Sequence, residues 1–170
     1  MTAFTHIVRR LRSERGQALV EFALIAPLFF VLLFGMLDFG KAFNYWSTQQ
    51  QMANEGARLA AVNTAGPWTC PDGTSASTLP AYVKCNAVTN ELRNGGSFWL
   101  TNVARVCVRA APNGPGTLNA GDPVQVVVTS TYKWLPLIAQ RISVTQATIT
   151  GAATMRLEAP LAAANTGCTS

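Results

Sequence analysis

The chain has 170 residues, enough for one domain of ordinary size plus an appended segment. Only 12% of it is charged, and the net +5 comes mostly from the front, where Arg9, Arg10, Arg12 and Arg15 stand against Glu14. A basic cluster directly before an apolar run orients a chain in a membrane, so nucleic acid is not an expected partner.

That apolar run opens at Gln17. From Ala18 to Leu37 the one charged residue is Glu21. About 20 helical residues span roughly 30 Å, the depth of a bilayer core. The arginines then stay cytoplasmic and the chain from Asp38 onward lies beyond the inner membrane. A cleaved secretory signal is the competing reading. Against it stand the length of the run, Pro27 inside it, Glu21, and the lack of a small-x-small site directly after it. Pro27 should bend this helix or leave a backbone carbonyl unpaired. A point of flexibility and a tolerated kink explain it equally well.

Helical spacing continues past Asp38. Phe43, Trp46, Gln49, Met52, Gly56 and Leu59 fall on one stripe, with the small residues Ala53, Ala57 and Ala60 beside them. Small residues allow close approach to a sheet or to other subunits' helices. Tyr45 and Trp46 suit a membrane–water boundary. Residues 65–80, rich in Gly, Pro, Ser and Thr, read as a loop. A short helix follows, with Pro80 in its first turn and Ala81, Cys85, Val88 and Leu92 on its apolar side; the Asn-Gly-Gly at 94–96 ends it.

From Trp99 the period becomes two. Ala104, Val106, Val108 and Ala110 face one way; Arg105, Cys107 and Arg109 face the other. Solvated charge is the simpler reading of these two arginines than an anion-binding patch. Val124, Val126, Val128 and Tyr132 mark a second strand. Ile142 and Val144 begin a third, which Ala147, Ile149, Ala153, Met155 and Leu157 continue on the other parity, so a bulge is expected near Gln146. Asp122 should support the turn before the second strand, and Glu158 should cap the sheet's end.

The fold class read from these patterns is α+β: a long N-terminal helix on a small antiparallel sheet of three or four strands. The division is 1–16 leader, 17–37 membrane helix, 38–63 amphipathic continuation and 64–170 outer domain. The four cysteines, Cys70, Cys85, Cys107 and Cys168, form no CxxC and have no histidine partner nearby, so disulfides are expected rather than a metal or a redox motif. Four cysteines allow three pairings. Cys85 faces the loop that carries Cys70, and Cys107 points outward where the tail with Cys168 can reach it.

Catalytic chemistry has little to work with. His6, the sole histidine, lies in the leader, so no histidine-assisted nucleophile forms in the outer domain. The acids are dispersed. GxGxxG and GxxxxGK[ST] are both missing. No enzyme activity, cofactor or metal is expected.

The segment RGQALVEFALIAPLFFVLLFGMLDFGKAF closely resembles the opening of TadE-like proteins, minor pseudopilins of the tight adherence (Flp, type IVb) pilus system; related TadF and TadG proteins share it. NEGARLAA, GDPVQVVVTSTYKWLP and the closing ATMRLE also fit. The resemblance implies cleavage by a prepilin peptidase between Gly16 and Gln17, with Glu21 at mature position five pairing with a freed N-terminal ammonium. It implies, as partners, other Tad and Flp pilins, the peptidase, an inner-membrane assembly platform and membrane lipid. The location implied is the inner membrane, with the outer domain periplasmic or, in a filament, extracellular. The competing reading is a signal-anchored periplasmic binding or sensing domain that stays in the membrane.

Overall fold

A computed structural model describes residues 14–62, 66–93, 100–134 and 146–169. The leader arginines Arg9, Arg10 and Arg12, His6, the Asn-Gly-Gly at 94–96, Trp99, Ile142 and Val144 lie outside the described residues. The chain divides into two compact units at Phe39/Gly40.

Helix α1, Glu14–Ala61, is 48 residues long and runs through both. In the first unit all described residues are helical, because apolar and small side chains follow one another without a breaker other than Pro27. Its large side chains are exposed, Leu24 at 76% and Met36 at 79%.

The second unit begins with the rest of α1. A two-stranded ladder follows, β1 (Trp68–Thr69) against β2 (Ser75–Ala76), then helix α2 (Leu79–Arg93). Strands β3 (Leu100–Ala110), β4 (Pro123–Lys133), β5 (Gln146–Arg156) and the short β6 (Gly167–Cys168), the last preceded by a 3-10 turn at Ala163–Asn165, form an antiparallel sheet in the order β5-β4-β3-β6. The α+β class and the strand number agree with the sequence.

One face of the sheet is the core. Val106 and Val108 of β3 and Val124, Val126 and Val128 of β4 are all buried. Burying each such side chain contributes about 1.5–3 kcal/mol before entropy is counted. Met52, Ala53, Ala57 and Ala60 of α1 and Leu79, Val83 and Ala87 of α2 pack on them. Gly56 sits where a β-carbon would come within 2.9 Å of Val83 and 3.1 Å of Val126, so α1 nests closely between α2 and β4.

Four expectations need correction. Phe43 and Trp46 are not on the buried stripe: both are exposed, and they pack on each other at 5.5 Å. Tyr45 takes the inward position and meets Tyr132 at 5.9 Å, so it belongs to the core and not to a membrane boundary. The buried face of α2 is Leu79, Val83 and Ala87, rotated from the Ala81, Cys85 and Val88 stripe, because the helix meets the sheet and α1 at once. Residues 65–80 are more than a loop. Asp72 accepts hydrogen bonds from the Thr74 amide at 3.0 Å and hydroxyl at 2.7 Å, and this turn joins β1 to β2. Those two bonds hold the Asp72 carboxyl below the usual carboxylate range.

Asp122 supports the turn before β4. Its Oδ2 accepts from the Thr117 hydroxyl at 2.6 Å and from the Asn119 amide at 2.9 Å, and these bonds lower its pKa. A carboxyl with a depressed folded pKa adds stability above its unfolded pKa and loses it as pH falls through the folded value. Asp122→Ala is therefore expected to melt earlier than the parent at neutral pH. The two should converge as the pH drops below about 4. A difference that persists unchanged in acid would show that the carboxylate bonds are not its source.

Candidate functional site

The candidate site is built on α1. The Gly16–Gln17 bond lies in its first turns, both residues exposed. Glycine inside a helix costs about 1 kcal/mol relative to alanine. A β-carbon at Gly16 would meet nothing within 4 Å, so no packing among the described residues requires glycine there. Gly35 and Gly40 are equally open.

Glu21 stands one turn beyond Gln17 and is exposed; its Oε1 accepts from the Gln17 side-chain amide at 3.1 Å. The most apolar 18-residue stretch of this helix has mean hydropathy 2.4, and none of it is buried. Among the described residues this is the one helix long and apolar enough to cross a membrane. The helix continues through Pro27, whose missing N–H leaves the Ala23 carbonyl without its i+4 partner.

At its far end α1 is tied to the sheet by backbone contacts. Gly151 of β5 is buried, and a β-carbon there would collide with the Gln49 carbonyl carbon and lie 2.5 Å from the Gln50 amide nitrogen. The Gln50 side chain acts as a short strand: its Nε2 donates to the Ala152 carbonyl at 2.7 Å and its Oε1 accepts from the Ala152 amide at 3.2 Å. An exposed edge of β5 is thereby covered. The Glu158 amide donates to the Ala61 carbonyl at 2.8 Å, satisfying a carbonyl at the helix end. Glu158 thus acts through its backbone on α1; its side chain is exposed beside an open cleft of about 550 Å³ shared with Glu55, Arg58 and Met155.

Disulfides join Cys70 to Cys85 and Cys107 to Cys168. The first ties the β1–β2 turn to α2. The second crosslinks directly opposed residues of β3 and β6. The tail is also held by Asn165, whose buried Oδ1 accepts from the Leu79 amide at 3.1 Å and so caps α2 together with the Thr78 hydroxyl. Loop-closure entropy grows with the span, 61 residues for Cys107–Cys168 against 15 for Cys70–Cys85. Removing each is expected to cost about 4 and about 3 kcal/mol respectively. Thermal melting of the paired Cys→Ser variants checks the order; a reversed order would mean that native contacts outweigh chain entropy here.

No group of three or more histidine, cysteine, aspartate or glutamate side chains that could hold a metal occurs among the described residues.

The helix that carries Gly16, Glu21 and Pro27 coincides with one family's segment. Residues 16–58 match the family model of TadE-like protein. The match begins at Gly16 and ends three residues before α1 does, so the TadE-like segment is the helix itself. The later stretches that resemble the family, GDPVQVVVTSTYKWLP and ATMRLE, lie outside the matched residues. No curated protein and no solved structure matches the chain. A TadE-like segment points to involvement in a tight adherence pilus system, and its apolar helix is a candidate membrane anchor.

Gly151, Gln50, Thr78 and Asn165 were not legible as tie points beforehand. Gly151 carried one signal, a glycine in mid-strand, which marks close backbone approach.

Proposed function

We propose that this chain is a minor pilin of a tight adherence, type IVb pilus system, made with a basic leader and cleaved by a prepilin peptidase between Gly16 and Gln17. Its role is structural rather than enzymatic. It leaves the inner membrane through α1, pairs by that helix with other pilins on an assembly platform, and serves in starting the filament or in adhesion. The observation that carries the reading is one helix holding Glu21 as the only charge in an apolar run that begins directly after Gly16, a glycine that no packing among the described residues demands. Hydrocarbon on every side suits lipid before assembly and neighbouring helices after it. Glu21 suits an ammonium freed at Gln17, since opposite charges offset each other's desolvation cost only when paired.

Mass spectrometry of the protein from cells with an active prepilin peptidase tests this. The expected N-terminus is Gln17. An intact Met1 with the arginines retained, or a cut beyond residue 40, sinks the reading in favour of a membrane-anchored periplasmic domain.

A further inference from the structure

The face of the sheet away from the helices has a composition that no single strand reveals. Alternation along three strands turns Arg105 and Arg109 of β3, Lys133 of β4 and Arg156 of β5 to that side. No aspartate or glutamate occupies an outward position at 105–109 of β3 or anywhere along β4 and β5. Between the cations lie hydroxyls: Thr129, Thr131, Thr148, Thr150 and Thr154. Register aligns them in rows. Arg105 stands beside Thr129 and Thr150, and Arg109 beside Gln125 and Thr154. The Arg109 guanidinium is held in place by two bonds to the Gln125 Oε1, at 3.2 and 3.1 Å. The row between is apolar, Cys107, Val127 and Ala152.

We infer that this face binds an extended acidic polysaccharide. Arg105 and Arg109, four residues apart on one strand, are separated by about 13 Å, and the cations together cover roughly 33 Å along the sheet. That is sparse charge in a field of hydroxyl and amide groups. A polymer that carries a carboxylate every sugar or two and hydroxyls elsewhere has the complementary pattern. Guanidinium groups take the carboxylates, threonine hydroxyls and glutamine amides take the sugar hydroxyls, and the apolar row accepts the C–H face of a ring. Nucleic acid fits less well. It presents a charge every ~1.7 Å along the duplex axis, and among the described residues this face has no aromatic side chain for a base to stack on. The inference stands apart from the pilus reading, because binding is measured on the isolated full chain.

The test uses full-length protein in neutral detergent, with immobilised sodium alginate as the acidic polysaccharide and dextran as the uncharged one. Alginate should be bound, less tightly as salt rises, and dextran much more weakly. Arg105→Gln with Arg109→Gln should weaken alginate binding roughly tenfold or more, as loss of charge-assisted bonds requires. Arg58→Gln, an exposed cation in the cleft at the end of α1, should change it less than about twofold. Thr129→Val with Thr150→Val removes hydroxyls without touching charge and should also weaken binding. Thermal melting confirms that each variant is folded. No alginate binding, an equal loss in Arg58→Gln, or tighter retention on duplex DNA or on phosphatidylglycerol vesicles overturns the inference.

Discussion

Gly151→Val is expected to unseat α1 from the sheet. The new side chain would enter the space of the Gln49 carbonyl and the Gln50 amide, and these are backbone atoms fixed by a helix on one side and a strand on the other. No rotamer change relieves such a clash. The Gln50–Ala152 bonds, 2.7 and 3.2 Å, depend on the same close approach and would go with it. A cost of about 3 kcal/mol, the upper part of the range for overfilled interiors, is expected. For a chain of this size that lowers the melting temperature by roughly 6–12 °C. Gly40→Ala is the contrast, because a β-carbon there meets nothing within 4 Å; it should leave the melting point unchanged or raise it slightly. If Gly151→Val melts with the parent, the contact between α1 and β5 is looser than these distances imply.

The second large effect falls on Glu21. Glu21→Ala should leave membrane insertion and cleavage at Gly16 intact and remove the protein from sheared surface filaments. The reasoning is electrostatic. Once the N-terminus at Gln17 is free, its ammonium in an apolar bundle needs an anion, and the only one in the run is Glu21. Breaking a buried pair by deleting one partner costs about 3–5 kcal/mol, roughly two to three and a half orders of magnitude in an association constant. Glu21→Gln separates charge from hydrogen bonding. It keeps an acceptor for the Gln17 side chain, now 3.1 Å away, but carries no charge, so it should fail as Glu21→Ala does. Full recovery of either variant in the sheared fraction would remove charge pairing from the account.

The two units differ in how much of each could be read from residues alone. In α1 up to Phe39 nearly everything was legible. An apolar run of bilayer length with a single charge has few alternatives, and Glu21 and Pro27 stand out within it, with Gly16 just before it. Beyond Gly40 the helix itself was legible but its rotation was not. Phe43 and Trp46 share one side of the helix and Tyr45 takes another, and hydrophobicity cannot say which side enters a core. Tyr132 decides it, from more than 80 residues away. The same holds for α2, where the apolar residues cover most of the circumference and the sheet selects Leu79, Val83 and Ala87. The strands were clearer. In β4 every second residue, Val124, Val126, Val128, Ser130 and Tyr132, is buried, and the positions between them are half-buried. The 3-10 turn, β6 and the cap from Asn165 carry no local pattern at all.

The residue order alone therefore determined a continuous N-terminal helix, its apolar first half, and the two-residue period of the sheet, because each follows from neighbours a few positions apart. Tertiary structure decided which side of each helix is buried, why Gly151 must lack a side chain, where the tail returns to β3, and that four separate cations share one face of the sheet. Those depend on residues brought together across the chain, where contact distance and strand register, not local spacing, select the partner.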